Sequence, residues 1–310
     1  MSAPKLEVND NTQVILQSDK SIEQEGLGNE ESYLKVVATR FFKHKLAVIG
    51  LIMFSLIVLM AIFAPVIAPQ DPFEITYEFE AKPSAEHPLG TDQVGRDVLS
   101  RLIYASRISL SVGLGAVSIY VVIGTILGAI AGYAGKWADM LIMRITDVFM
   151  SFPFLMVILV LVSVMGPSLF NIILVLGLLG WPPIARLVRG SVLSLKEMDY
   201  VKAGVALGYT APKILLNHIL PNALAPILVN ATFGIAYAII MEASLSFLGM
   251  GVQPPTASWG NMLTEAQSLT VLAGQPWLWV PPGLLILLAV LSINFMGDGL
   301  RDAVDPKSFK

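Results

Sequence analysis

SVLSLKEMDYVKAGVALGYTAPKILLNHILP, Ser191–Pro221, is a polar island between two long apolar blocks, Asn171–Ala185 and Ala223–Leu248. Lipid offers no partner to such a segment, so it must lie in water or against another protein. Its pattern predicts two short helices joined by a tight turn. Asp199 is a candidate N-cap, and Tyr200, Ala203, Gly204 and Leu207 follow at i, i+3, i+4 and i+7 on one face. Gly208 reads as the C-cap. Thr210 can cap the second helix, whose first turn tolerates Pro212, and Pro221 is expected to end it. The small side chains of Ala203 and Gly204 would let another surface approach the backbone closely, as a docking helix requires. The plainer reading is a solvated connector.

Composition sets the class around this island. Hydrophobic residues make up 55% of the 310 and charged residues 14%, against roughly a quarter charged in soluble domains. With a mean hydropathy of +0.70, the chain reads as an all-α polytopic membrane protein. A net charge of −3 does not imply a nucleic-acid partner. The absence of cysteine excludes disulfides and thiolate metal sites.

Taken in order, residues 1–45 form a polar N-terminal tail, mostly disordered up to 39, ending in a basic collar of Arg40, Lys43, His44 and Lys45. Residues 46–70 carry no charge and are long enough to cross a bilayer core of about 30 Å. An outer loop rich in proline and acidic residues, 71–107, leads to a module over 108–297 with helices expected at about 108–135, 148–165, 169–186, 223–248 and 277–296. Met165-Gly166-Pro167-Ser168 divides an apolar run too long for one span. Gly124, Gly128 and Gly132 recur every fourth residue, a stripe for close helix packing or simply the glycine content of membrane helices. Residues 298–310 are the C-terminal tail. Six spans place both termini and the island on one side. Apart from Lys82, Arg96, Arg101 and Arg107, every lysine and arginine falls on that side, which the positive-inside rule makes cytoplasmic.

Few residues suggest chemistry. Gly90–Asp97 echoes a phosphate loop, but Arg96-Asp97 replaces the required Lys-Ser/Thr pair and the segment lies outside. His44, His87 and His218 have no metal-ligand spacing, and no serine has a base in recognisable arrangement, so no catalytic, cofactor or metal site is assigned. Glu242 stands out within a span, where a charge costs about 2.5–3.5 kcal/mol at the bilayer centre, less towards the surface. It is a candidate path or gate carboxylate, or else a structural hydrogen-bonding group tied to Arg96 or Trp259. No polar stripe singles out a path-lining face.

KAGVALG followed by HILP is similar to the docking loop of ABC-importer permeases, Glu-Ala-Ala, three residues, Gly, nine residues, Ile-x-Leu-Pro. Lys202, Ala203 and Gly204 occupy the first three slots, Gly208 and then Tyr209 the turn, His218 the Ile slot, and Leu220 and Pro221 the end. Lys202 lacks the family carboxylate. EASLSFLGMGVQPPTASWGNML (242–263), HPLGTDQVGRDVLSRLIYASRISLSVG (87–113), MRITDVFMSFPFL (143–155) and GDGLRDAVDPK (297–307) resemble the permeases that import dipeptides, oligopeptides and nickel, in particular their C-type subunit. The match runs from about residue 35 onward, in the family's order.

The resemblance implies a type I ABC-importer permease fold with six transmembrane helices in a prokaryotic plasma (inner) membrane. It implies a second homologous permease enclosing half the path, two P-loop ATPases that bind ATP and Mg, and an extracytoplasmic binding protein that delivers substrate. The alternative is a stand-alone ion-coupled carrier or channel centred on Glu242. Dipeptides, longer peptides, nickel chelates and glutathione-like compounds all remain open as substrates.

Overall fold

The computed structural model describes residues 33–304. The disorder expected before residue 33 and the tail after 304 lie outside the described residues. Among the described residues all regular elements are helical. Among the described residues five helices or helix continuations are long and apolar enough to cross a membrane, or six if a sharply bent pair counts as one span.

The chain enters through α1, Tyr33–Lys43, an amphipathic helix where a disordered tail was expected to reach residue 39. Residues 36, 37, 40 and 41 lie in its half-buried stripe, Arg40 among them, and Lys35 and Lys43 face outward. His44 then accepts the Ala47 N–H through Nδ1 at 3.1 Å and caps α2, Lys45–Ile62. A single turn, α3, Ala64–Ile67, closes the first span.

The next helix, α4, covers Val98–Ala134, beginning ten residues earlier than its apolar stretch. At about 1.5 Å per residue it far exceeds the ~30 Å hydrocarbon core, so its first turns stand outside the bilayer. Those turns are polar yet helical because Asp97 caps them, accepting the Ser100 N–H at 2.7 Å, and the outer loops bury them.

The helix expected at 148–165 is two helices. They are α5, Lys136–Ser151, and α6, Phe154–Met165, bent by 86°. Pro153 at the junction cannot donate to the preceding turn, and the residue before it is driven to extended backbone, as Phe152 is at φ −95°, ψ 145°. After Gly166 and the cap Ser168, α7, Leu169–Leu179, runs into α8, Trp181–Lys196. This helix therefore carries on ten residues past the expected end at 186. It is followed by α9, Asp199–Ala206, and α10, Ala211–Ile214. A π-helical turn, Leu215–Ile219, joins α10 to α11, Leu220–Phe247. The outer cap contains α12, Trp259–Met262, and α13, Leu269–Gly274, before the last span, α14, Pro276–Val304.

The core has two halves. One packs α4, α7, α8 and α11 around Ala116, Tyr120, Ile184 and Ile227. The other joins α2, α4, α11, α12 and α14 around Ile57, Leu102, Ile239, Trp259 and Ile293. The glycine stripe lies on the α4–α8 contact. A Cβ at Gly124 would stand 2.7 Å from Ile184 Cβ, one at Gly128 2.5 Å from the Ala185 carbonyl oxygen, and one at Gly132 2.7 Å from Val192 Cβ. Backbone cannot step aside as a side chain does. Gly128→Ala is therefore expected to destabilise the subunit by about 1–3 kcal/mol, read as a lowered thermal midpoint in detergent.

Candidate functional site

The cytoplasmic loop is built around the end of α9. Met198, in extended conformation, occupies the N-cap position without a side-chain bond, and Asp199 is the first helical residue. The expected cap is thus displaced by one, which leaves the Asp199 carboxylate at the positive end of the helix dipole. At the other end Gly208 has φ +79°. Its N–H reaches the Val205 carbonyl at 2.9 Å and the Tyr209 N–H reaches Gly204 at 3.0 Å, which together make a Schellman termination.

Tyr209 folds back under the helix. Its ring stacks on His218 at 5.8 Å, and Lys213 Nζ lies 3.8 Å over its face. Gly204 is buried beneath this ring, and a Cβ there would meet Tyr209 Cδ2 at 3.3 Å. Of the two small residues expected on a docking face, Ala203 points outward and Gly204 points inward, because the turn brings Tyr209 over it. The outward surface adds Tyr200, Val205 (56% exposed) and Leu207 (73%). Together they form an exposed apolar face on an otherwise polar loop. Lys202 pairs with Glu197 at 3.1 Å in the open, a contact of little energetic weight.

Pro221 does not end a helix. It follows directly on the π turn at the start of α11, and that turn absorbs the change of register. Thr210 precedes α10 without a side-chain cap bond. The island is thereby continuous with two spans. At its entry, α8 is tied to its neighbours by the Arg189–Asp139 and Arg186–Asp147 pairs, the latter at 2.9 Å, and by Lys196 Nζ donating to the Tyr133 carbonyl at 2.9 Å.

On the opposite side Glu242 is fully buried. Ser246 and Ser258 donate to its Oε1 at 2.7 and 2.8 Å, and Ser109 donates to Oε2 at 3.4 Å. The Trp259 peptide N–H in turn donates to Ser109 Oγ at 3.1 Å. Arg96 is not a partner of Glu242, because it is held by Asp92 at 2.8 Å. Arg101 donates from Nη1 to the Pro255 carbonyl at 3.2 Å and lies 3.4 Å from Asp92, joining the first outer loop to the last. Asp92, Arg96, Arg101 and Ser246 border an outer cavity of about 430 Å³ that also includes Glu265. Burial, reinforced by the charge of Asp92, pushes the Glu265 carboxyl above the usual range.

A second cavity, about 410 Å³, opens halfway along the spans. Phe149, Phe152 and Phe154 enter it from the α5–α6 bend, Pro182 and Pro183 from the α7–α8 junction, and Asn230 and Tyr237 from α11. Its inner wall is Tyr120, wedged where Gly180 and Gly234 leave room.

The model of the binding-protein-dependent transport system inner membrane component matches residues 124–310, more than half of the chain. This chain belongs to that family. The model of the N-terminal TM domain of oligopeptide transport permease C matches residues 32–84 of the permease. A dipeptide transport system permease protein DppC of Alkalihalophilus pseudofirmus is 44% identical over 86% of this chain and 87% of its own length. An oligopeptide transport system permease protein OppC of Bacillus subtilis is 42% identical over 89% and 90%. Among solved structures, a chain of the MetNI methionine ABC transporter in an inward-facing conformation superposes with a TM-score of 0.53 at 21% identity. That match covers 66% of this permease and 96% of that chain, and places the fold among ABC-importer transmembrane subunits.

The middle cavity is what a reading of this permease's sequence alone misses. Polarity gives no signal there, since its lining carries no charged residue. The available signal is proline within apolar runs, at Pro153 and at Pro182-Pro183.

Proposed function

We propose that this permease is half of the translocation path of an ATP-driven importer for di- or oligopeptides, in a prokaryotic inner membrane. A homologous permease pairs with it, two P-loop ATPases holding ATP and Mg dock below the pair with Ser191–Pro221 as this subunit's docking loop, and an extracytoplasmic binding protein delivers peptide to the outer cap. The observation that carries this reading is the α9 surface. A rigid, Schellman-terminated helix presents exposed apolar side chains on the side rich in lysine and arginine, and both of its ends feed into spans. Closure of the ATPases would then move α9 as a lever that tilts α8 and α11 between two packing arrangements. A stand-alone ion-coupled carrier would need Glu242 open to the path, and three serines wall its carboxylate in.

The chain has no cysteine, so Ala203→Cys gives a single attachment point on the docking surface. Mild crosslinking of the co-purified complex is expected to join it to a P-loop ATPase. Recovery of the permease alone, with uptake that survives ATP depletion, would overturn the reading.

A further inference from the structure

We infer that the aromatic cavity at mid-span is the place in this subunit where a passing peptide is held, through its apolar side chains and its N–H donors rather than its carboxylate. The assignment rests on the importer reading above and adds the residues that line the path.

Three features converge on this cavity. The first is broken backbone. The α5–α6 bend of 86° and the Gly180-Trp181-Pro182-Pro183 junction both open onto it. Irregular backbone at membrane depth is tolerated only where it is buried in protein or lines a cavity, and discontinuous helices are where membrane transporters hold substrates. The second is a set of acceptors without donors. Pro182 and Pro183 have no N–H, so the carbonyls of Leu178 and Leu179, four residues earlier, lose their helical donors. Leu179 lines the cavity, and Asn230 on the facing helix is exposed there. These acceptors suit peptide N–H groups or an α-ammonium.

The third feature is the aromatic wall. Phe149 packs edge-on to Trp181 at 5.5 Å, and Phe154 meets Tyr237 at 6.0 Å. Aromatic pairs thus bridge α5 to α8 and α6 to α11 across the breaks. Their faces accept apolar side chains of varied shape and can attract an ammonium. No arginine or lysine lines the cavity to hold a carboxylate. A site without a full charge binds weakly enough to let its cargo go, as conduction through a path requires.

The test uses the complete complex with its binding protein in proteoliposomes, with Phe152→Cys or Tyr237→Cys as the variant. Leu56→Cys on α2, exposed and outside the cavity, is the control. A bulky methanethiosulfonate is expected to reduce labelled-peptide uptake to background at positions 152 and 237 and to leave the control unchanged. Saturating unlabelled peptide during turnover should slow the modification. Unchanged uptake after full modification at both positions would overturn the assignment alone, since the importer reading would survive. A parent complex that imports no labelled peptide under ATP would remove both.

Discussion

Gly208→Val is expected to abolish ATP-coupled uptake while the complex still assembles. The glycine holds φ +79°, and nothing lies within 4 Å of where a Cβ would project. Space is therefore not the difficulty; backbone conformation is. An L-residue in the left-handed region costs about 1–2 kcal/mol, and a β-branched one is least suited to it. A penalty of that size shifts the population of the native turn by a factor of roughly 5–30. Losing the turn releases two bonds at the end of α9 and frees Tyr209 from Gly204 and His218, so the lever loses its fixed angle to the π turn and α11. The readout is the ratio of peptide uptake to ATP hydrolysis in proteoliposomes. Gly208→Asn, which tolerates the left-handed region, should retain most coupling. If Gly208→Val transports at the parent rate, the rigid-lever mechanism is wrong.

The sequence and the structure agree most where a single physical constraint dominates. Uncharged runs locate the spans. The four-residue glycine period appears as three close approaches between α4 and α8. The disagreements occur where tertiary surroundings override local composition. Ser100, Arg101 and Ser106 look like loop residues, yet they are helical because the outer loops bury them. Gly204 looks like docking surface until the turn brings Tyr209 across it. Phe152-Pro153 lies within an apolar run, and hydropathy is blind to an 86° bend there because Val148–Met150 just before it are apolar like Phe154–Val157 just after it. Pro221 reads as a terminator, but the helix runs on through a π turn just before it. The mid-span cavity is hidden for a related reason. Its lining carries no charge, and the breaks that open it are marked in the sequence only by Pro153 and Pro182-Pro183 within apolar runs.

Glu242→Ala is expected to destabilise the subunit by about 3 kcal/mol or more, from three serine hydroxyls each losing an acceptor in a buried site. The loss would not stay local. Ser258 is also the N-cap of α12, accepting the Asn261 N–H at 3.1 Å, while Asn261 donates to the Val252 and Thr256 carbonyls at 3.0 and 2.8 Å. Ser109 holds the Trp259 N–H on the other side. Gly260 allows this approach, since a Cβ there would stand 2.6 Å from Ala243 Cα. One carboxyl thus joins α4, α11 and the outer cap, and hydrogen exchange in residues 252–262 should rise in the alanine variant together with a fall in thermal midpoint. Glu242→Gln separates shape from charge. Its amide oxygen can still accept from Ser246 and Ser258, and its NH₂ can donate to Ser109, so stability and uptake should remain close to those of the parent. Were Gln as damaging as Ala, the charge of the carboxylate would be what the site needs, and the clamp described here would be the wrong account. If instead the alanine variant kept its thermal midpoint and its exchange pattern, the three serine contacts would carry no net stability at all.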